Sequence, residues 1–250
     1  RVLVTRPADQ AEALGAQLSA AGFSPIYAPL MQIEPVPELD AGQRQLLLDL
    51  DHFQHVIFVS RNAIRHGMDW IESFWPQLPV GLRWYTVGSS SAVALAAFGV
   101  EVLQPERDMT SEGLLQRPEL VTVDGDRVLI VKGEGGRRRL RDILEQRGAR
   151  VDELVAYRRC VPGYAPGELA ANLERCDVVL VSSGEGLDNM VSLLGEAPLA
   201  SAQKCALVVP GSRVAELAEA KGFQRVIVAE NATDDAMLEA LVSQYGEQGE

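Results

Sequence analysis

The sequence predicts an α/β protein with two similar lobes, each a mostly parallel β-sheet flanked by helices. Three observations predict it: short buried apolar segments alternate with amphipathic helical segments, the second half of the chain repeats patterns of the first, and matched positions keep a nearly constant spacing. The segment 2–7 recurs at 128–133, 56–60 recurs at 178–182, and 110–115 recurs at 233–238. Such copies are far longer than the roughly 20–50 residues of a solenoid repeat. We therefore expect a duplicated α/β unit with a ligand in the cleft between the lobes.

The elements of the first copy follow from its apolar periodicity and its helix signals. Residues 2–5 form a strand, and Pro7 opens a helix that ends at Gly22. Further strands are predicted near 25–28, 56–60, 83–87 and 100–103. The helices are predicted near 8–21, 62–74, 89–98 and 111–117, with another after residues 35–37 that contains Leu46, Leu47, Leu48 and Leu50. The second copy repeats the order, with strands near 128–132, 151–157, 178–182, 205–209 and 225–228, and helices near 136–147, 167–174, 185–194, 212–221 and 234–243.

Two proline-containing stretches, 33–37 and 157–166, occupy matching positions in the two copies and are predicted to cross between the lobes. Because the chain crosses twice, one lobe is discontinuous. We expect residues 1–34 with 164–250 to form the first lobe and 36–158 to form an inserted second lobe. A plain split near residue 125 is the alternative.

Composition limits the class of protein. The chain of 250 residues is 47% hydrophobic and 23% charged, which suits one large globular domain or two of about 120 residues. Its net charge of −12 argues against a general nucleic-acid or membrane-surface binder. No apolar run approaches the roughly 20 residues of a membrane span, and no signal peptide is visible. Cys160, Cys176 and Cys205 lie far apart without a CxxC motif, so we expect a reduced, cytoplasmic protein without a zinc site.

Ligand-binding residues are expected in the turns that follow the strands, because ligands of doubly wound sheets bind at the carboxyl ends of strands and against helix N-termini. These turns carry hydroxyls, glycines and cations suited to carboxylates or phosphates. The candidates are Thr5, Arg6, Ser60, Arg61, Asn62, Gly88, Ser90, Ser91, Lys132, Gly133, Ser182, Ser183, Gly184, Ser212 and Arg213. A single hydroxyl before a helix is also an ordinary N-cap, but recurrence at equivalent turns of both copies favours a binding role.

Three further features have alternative interpretations. The glycine-rich turn 132–136 lacks the spacing of a dinucleotide or P-loop motif. Arg137, Arg138, Arg139 and Arg141 cannot all face one ligand, and most are expected on a solvated surface. Tyr157, at a predicted crossing, is either a core residue or a proton donor.

Several motifs together resemble the uroporphyrinogen-III synthase family. They are Val2–Pro7, Phe58–Ala63, Tyr85–Gly88 before the serine-rich 89–92, Lys132–Gly136 and Val155–Arg159. The resemblance implies a cytoplasmic, cofactor-free lyase of haem and sirohaem biosynthesis. Such an enzyme cyclises linear hydroxymethylbilane to uroporphyrinogen III with loss of water and inversion of ring D.

The resemblance also implies two α/β lobes joined by a two-stranded linker, with a discontinuous first lobe. It places the family's binding hydroxyls on Ser91 and Ser212, where the family often has Thr, and the linker tyrosine on Tyr157. In the last turn Pro210 stands where Gly is usual, and Arg213 replaces a small hydroxyl residue. The expected partners are hydroxymethylbilane itself and a hand-off from hydroxymethylbilane synthase, with a monomer and no nucleic acid or membrane.

Two other classes remain as alternatives. Two α/β lobes with two crossings also describe small-ligand binding and sensor modules, which would bind a bilane without turnover. A nucleotide-sugar transferase with facing lobes would bind a nucleotide tightly, although its phosphate fingerprint is missing from this sequence.

Overall fold

The computed structural model describes residues 1–136 and 138–246. Its strands are β1 (Val2–Val4), β2 (Pro25–Tyr27), β3 (Gln32–Pro35), β4 (His55–Phe58), β5 (Arg83–Thr86), β6 (Val102–Leu103), β7 (Arg127–Gly133), β8 (Arg150–Cys160), β9 (Val178–Leu180), β10 (Ala206–Pro210) and β11 (Arg225–Ala229). Its helices are α1 (Ala8–Ala20), α2 (Ala41–Leu48), α3 (Arg61–Phe74), α4 (Ser89–Ala96), α5 (Ser111–Leu114), α6 (Pro118–Val121), α7 (Arg139–Gln146), α8 (Glu168–Glu174), α9 (Gly184–Leu194), α10 (Glu196–Ala202), α11 (Gly211–Ala220) and α12 (Asp234–Tyr245).

The described chain forms two compact units. One combines residues 1–32 with the chain from residue 160 onward, and the other spans 33–159. We call them unit 1 and unit 2. Unit 1 has a five-stranded sheet in the order β11-β10-β9-β1-β2, and unit 2 has a six-stranded sheet in the order β3-β8-β7-β4-β5-β6. The predicted α/β class with mostly parallel sheets is therefore confirmed.

Each sheet combines strands from both halves of the sequence. In unit 1, β1 pairs in parallel with β9, and in unit 2, β4 pairs in parallel with β7. By position in the repeat, β7, β8, β4, β5 and β6 of unit 2 correspond to β1, β2, β9, β10 and β11 of unit 1. The five strands β6-β5-β4-β7-β8 of unit 2 therefore follow the same order as the strands of unit 1. This order is the 2-1-3-4-5 arrangement of doubly wound sheets.

Both faces of each sheet are buried, which explains the continuous apolar strands of the sequence. In unit 1, Leu3 packs with Leu207 in the apolar cluster on one face, whereas Val4 packs with Leu14 of α1 in the cluster on the other. In unit 2, Phe58 belongs to the cluster of one face, and its neighbour Ile57 belongs to the other. This alternation follows from the two-residue period of a strand.

Helix α3 illustrates how the sequence sets a helix against its sheet. Its buried side chains include Ile64, Met68 and Ile71, which recur at helical spacing and pack in the same cluster as Phe58. Gly67 lies where the helix crosses β7, because a Cβ added there would be 2.4 Å from Val131 Cγ1. The absence of a side chain at Gly67 therefore lets α3 pack closely against β7.

The structure differs from the predicted elements mainly in the extent of the strands near the two predicted crossings. The stretch 33–37 overlaps β3, which lies beside β8 at the sheet edge, and the backbone amide of Val36 donates to the carbonyl of Ala156 at 3.1 Å. Strand β8 continues to Cys160, three residues beyond the predicted end. Helices α6 and α10 were not predicted, since both are short and carry only one buried residue each. Across 1–136 and 138–246, no helix has the length and apolar character needed to span a membrane.

Candidate functional site

The topology identifies one strand pair in each sheet where a ligand is expected. In doubly wound sheets, ligands bind beyond the carboxyl ends of the two strands from which the chain winds in opposite directions. These pairs are β1 and β9 in unit 1, and β7 and β4 in unit 2. The predicted ligand-binding residues fall into six turns. Four of these turns are at the ends of β1, β9, β4 and β7, and the other two follow β5 and β10, one strand further out in each sheet.

In unit 1, the turn after β1 is tied to its surroundings by both of its predicted side chains. The buried hydroxyl of Thr5 donates to the carbonyl of Leu180 on β9 at 2.6 Å. The guanidinium of Arg6 pairs with Asp234 at the start of α12 and donates to the carbonyl of Ala232. Thr5 therefore links the turn after β1 to the end of β9, and Arg6 links the same turn to the start of α12.

The turn after β9 forms the N-terminus of α9. The Ser183 hydroxyl accepts a hydrogen bond from the amide of Gly186 at 3.0 Å, so it is an N-cap. Gly184 is buried, and a Cβ there would lie 3.3 Å from Leu217 of α11. Ser182 is half-buried and precedes the cap. Of the two hydroxyls in this turn, Ser183 provides the N-cap and Ser182 does not.

In unit 2, the turn after β4 repeats this arrangement at the N-terminus of α3. The Ser60 hydroxyl accepts from the amide of Ala63 at 3.1 Å. Arg61, the first helical residue, is exposed, and Asn62 is half-buried. Ser60 differs from Ser183 in a second contact, because its hydroxyl also lies 3.1 Å from the phenol oxygen of Tyr157.

Tyr157 is held on several sides within unit 2. A register shift in the β7–β8 pair places Tyr157 opposite Gly133, and a Cβ on Gly133 would lie 2.6 Å from the phenol ring. The ring lies 6.0 Å from that of His66 on α3, centroid to centroid. Tyr157 is only 5% exposed, yet it lines a cavity of about 150 Å³ beside Val59. Tyr157 is therefore a buried phenol that reaches a cavity and contacts another hydroxyl.

Lys132 lies in the same cavity wall, at the end of β7. Its side chain is 11% exposed and its ammonium nitrogen lies 3.2 Å from Glu153 on β8. The lysine is therefore a buried cation paired with a carboxylate on the next strand. Gly133 follows it and provides the close approach to Tyr157 described above.

The turns after β5 and β10 carry the remaining predicted residues. Gly88 is the N-cap residue of α4 and Ser90 is exposed, whereas Ser91 is buried. In the equivalent turn of unit 1, both Ser212 and Arg213 are exposed on the first turn of α11. The two hydroxyls matched by the resemblance thus have different environments: Ser212 faces solvent and Ser91 packs inward.

Sequence reasoning missed Ser111 and Glu153 of the cavity lining, and it left open whether Arg139 and Arg141 face ligand or solvent. Ser111 lies in a segment that the sequence marked only as part of the repeat, and Glu153 lies inside a strand where alternation gives no functional signal. Among the arginines 137–141, Arg139 and Arg141 line the cavity and Arg138 is exposed outside that lining, while Arg137 falls outside the described residues.

A second titratable cluster lies at the opposite edge of the unit 2 sheet. His55, the first residue of β4, is fully buried, with Nδ1 2.9 Å from the Tyr85 hydroxyl and Nε2 3.0 Å from Asp126. Burial lowers the pKa of His55, although its hydrogen bond with Asp126 opposes this, and burial raises the pKa of Tyr85. Because the cluster lies at the amino end of β4, we assign it to structure.

No group of three or more His, Cys, Asp or Glu side chains within 1–136 and 138–246 is arranged to hold a metal ion. The predicted turns of each unit carry cations, hydroxyls and backbone amides, and the cavity in unit 2 is lined by the phenol of Tyr157. Such a set can bind carboxylates and transfer one proton.

Comparison with known proteins gives one consistent family. A family model described as "Uroporphyrinogen-III synthase HemD" matches residues 12–239. The uroporphyrinogen-III synthase of Escherichia coli (strain K12) is 34% identical over 252 aligned positions, which cover 96% of this chain and 99% of that protein. The Salmonella typhimurium (strain LT2) protein of the same name is 34% identical over 96% of this chain and 99% of its own length.

Solved structures agree at the level of the fold. A mutant uroporphyrinogen III synthase from the extremely thermophilic bacterium Thermus thermophilus matches with a TM-score of 0.61 at 18% identity, covering 99% of both chains. The Helicobacter pylori uroporphyrinogen-III synthetase matches with a TM-score of 0.61 at 14% identity, covering 98% of this chain and 99% of that one. The family match over residues 12–239 and the full-length relatives establish that the chain belongs to the uroporphyrinogen-III synthase family.

Proposed function

We propose that the chain converts linear hydroxymethylbilane to uroporphyrinogen III, closing the ring with loss of water and inversion of ring D. The observation that carries this proposal is the family match across almost the whole chain, together with relatives that align over 96% of it. As a lyase of tetrapyrrole biosynthesis, the protein would act on a small, strongly anionic substrate. The cationic and hydroxyl-bearing turns at the carboxyl ends of the strands suit such a ligand.

The chemistry that we propose needs a single proton delivery and firm positioning. Protonation of the terminal hydroxyl lets it leave as water and generates a delocalised azafulvenium cation. The substituted carbon of ring D then bonds to the exocyclic methylene of this cation, giving a spiro intermediate. The original bond between that ring carbon and the methylene bridge to the preceding ring breaks, and the bridge bonds instead to the unsubstituted α-carbon of ring D. Loss of the proton from that carbon restores the aromatic pyrrole with ring D inverted. No electrons are exchanged overall, so the proposed reaction needs no redox cofactor.

Tyr157 is the proposed proton donor. The phenol lines the cavity, and its hydroxyl contacts that of Ser60, which also caps α3. If Ser60 donates to the phenol oxygen, the phenol proton is free to point at the ligand, and the helix N-terminus stabilises the resulting negative charge. The remaining rate enhancement would come from holding the flexible bilane in the conformation that favours attack at the substituted carbon.

The substrate contacts proposed for the turns separate into two kinds. Exposed groups such as Arg61, Ser90, Ser212 and Arg213 are proposed to contact substrate carboxylates directly. Groups that already have partners, such as Thr5 and Arg6, are proposed to hold the turn backbones in place so that amides point at the ligand.

We also propose that the division into units corresponds to two lobes, with residues 1–34 and 164–250 in the first and 36–158 in the second. The linker would include the crossings near 33–37 and 157–166. The compact units found in the structure support this division. We further propose a monomeric, cytoplasmic enzyme that receives the bilane from hydroxymethylbilane synthase, because the free bilane closes unaided to the type I isomer. The three cysteines are thiols rather than disulfides, which suits a reducing compartment.

A product assay tests the proposed function. The protein is given freshly generated hydroxymethylbilane, the mixture is oxidised, and the porphyrin isomers are separated by chromatography. We expect mainly the type III isomer with active protein and only type I with heat-denatured protein. Formation of type I alone, at the rate seen without protein, would reject the proposal and favour a two-lobed binding module.

A further inference from the structure

The cavity beside Tyr157 has a cationic wall whose arginines are not among the substrate contacts proposed above. This wall, which we call the arginine wall, consists of Lys132 at the end of β7, Arg139 and Arg141 on α7, and Glu153 on β8. The cavity volume of about 150 Å³ is roughly ten times what one water molecule requires. It is therefore large enough for a side arm of a ligand.

The charge of the cavity contrasts with that of the chain. In the part of the chain that the structure describes, its lining carries four cationic side chains, the fourth being Arg159, against the two carboxylates Glu112 and Glu153. The whole chain has a net charge of −12. A local excess of positive charge in an acidic protein attracts and selects anions at that point of the surface.

Glu153 arranges the two inner cations around the cavity. One of its oxygens lies 3.2 Å from the Lys132 ammonium, and the other lies 3.7 Å from a guanidinium nitrogen of Arg141. Arg141 is also held from the other side by Glu145 at 2.8 Å. One shared carboxylate thus holds two partly buried cations near each other.

Arg139 is held more weakly. It pairs with Glu112 at 2.9 Å, but both side chains are about half exposed. An exposed ion pair of this kind contributes only about 0–1 kcal/mol. Exchange of Glu112 for a ligand carboxylate therefore costs little, and Arg139 is placed to close over a bound anion.

We propose that the arginine wall binds one carboxylate arm of the substrate, an acetate or a propionate side chain. This inference rests on the proposed function, because it assigns one of the substrate's carboxylates to a location in unit 2. A singly charged carboxylate fits better than a phosphate, since Glu112 and Glu153 in the lining repel a dianion more strongly. Guanidinium groups also match the planar geometry of a carboxylate.

The test uses uroporphyrin III, a stable molecule with the same eight carboxylates, as the binding probe. Its Kd is measured by quenching of tryptophan fluorescence, and KM and kcat are measured separately with hydroxymethylbilane. We expect Arg141→Gln to raise Kd and KM by about 5- to 10-fold with kcat changed less than about twofold, because a charge-assisted hydrogen bond is lost in the ground state and the transition state alike. Arg139→Gln should raise both by about 2- to 5-fold.

Arg138→Gln is the matched control. Arg138 has the same charge and lies one residue from Arg139, but it is exposed and does not line the cavity. It should leave Kd and KM unchanged. If Arg138→Gln weakens binding as much as Arg141→Gln, the effect is one of general charge and the proposed pocket is rejected.

Glu153→Gln gives a prediction of opposite sign. Removal of this carboxylate's charge leaves Lys132 and Arg141 with one competing anion fewer, so uroporphyrin should bind about 2- to 5-fold more tightly. A purely structural role for the cluster predicts lower stability in urea for both Glu153→Gln and Arg141→Gln with no change in Kd, and that result would overturn the inference.

Wild-type protein that forms type III product while Arg141→Gln binds the probe normally rejects the pocket alone. Wild-type protein that forms only type I product rejects the proposed function instead.

Discussion

Replacement of Tyr157 by phenylalanine separates the proposed catalytic role from core packing. The ring stays in place between Gly133 and His66, so no cavity is created. The change removes one hydrogen bond, that between the phenol and Ser60, and Ser60 keeps its cap contact with Ala63. The expected loss of stability is therefore that of one neutral hydrogen bond, about 0.5–1.5 kcal/mol.

The expected loss of activity is larger. A general acid contributes about 10²–10⁴-fold to a rate, so kcat should fall at least about 100-fold, which corresponds to about 2.7 kcal/mol of activation free energy. KM should change only a few-fold, because the phenol acts on the leaving hydroxyl rather than on the carboxylates. A stability loss of about 1 kcal/mol leaves a domain of ordinary stability almost fully folded. Unfolding cannot then account for a 100-fold loss.

The assay follows initial rates of bilane consumption and the ratio of type III to type I porphyrin, alongside urea unfolding. Tyr164→Phe is the control, since that hydroxyl is also partly buried and donates a single hydrogen bond, to the carbonyl of Pro29 at 2.8 Å. It should lose similar stability and keep full activity. A Tyr157→Phe enzyme with wild-type kcat would refute the proton-donor role and return Tyr157 to the core.

Two further predictions concern packing and pH. Gly133→Ala places a Cβ 2.6 Å from the Tyr157 ring, so it should cost about 1–3 kcal/mol in urea unfolding and reduce kcat; Gly163→Ala, where the Cβ meets nothing within 4 Å, should do neither. The lowered pKa of His55 means that the unfolded chain takes up a proton more readily than the folded chain. His55 should therefore cost no stability above the unfolded pKa of about 6.5, and stability should fall as the pH drops from there towards the folded pKa, by up to about 1.4 kcal/mol per pH unit. The His55→Gln variant should lack this part of the slope between pH 7.5 and 5.5, and equal slopes for the two proteins would contradict the assignment.

The regular elements of the fold were predictable because buried parallel strands have an unambiguous signature. β4 and β10 are apolar and buried along most of their length and are followed by helix starts with a cap or a glycine, and their predicted bounds agree to within two residues. The stretch 33–37 was harder, since its prolines indicated a crossing. Pro35 ends β3, which lies next to β8 at the edge of the sheet, where a missing amide is tolerated.

The site was predictable in position but not in chemistry. Strand-to-helix turns can be found from the sequence, and all of the predicted residues lie in or beside such turns, except Tyr157 within β8. The sequence could not show which hydroxyls were already used, because the partner of Thr5 is a backbone carbonyl on β9 and the partner of Lys132 lies on β8. Long-range partners of this kind are set by strand register, and a single sequence carries little information about register.

The arginines after β7 also show that a single sequence does not reveal which side chains reach the cavity. Adjacent helical residues point in directions about 100° apart, so a run of like charges cannot share one environment. In the structure Arg139 and Arg141 line the cavity, while Arg138 is exposed. The choice depends on where α7 begins, and the sequence predicted that start three residues too early.

The exchange of strands between the two copies explains why neither half of the sequence contains a complete site. The strand pair expected to bind ligand in unit 1 joins β1 of the first copy with β9 of the second, and that in unit 2 joins β4 of the first with β7 of the second. A fragment that ends near residue 125 would contain β4–β6 without their partner β7, and β1 and β2 without β9. Each sheet would then present an unpaired central strand, whose exposed amides and carbonyls cannot be satisfied within the fragment. The duplicated unit of the sequence is therefore not the folding unit, and both binding edges depend on the complete chain.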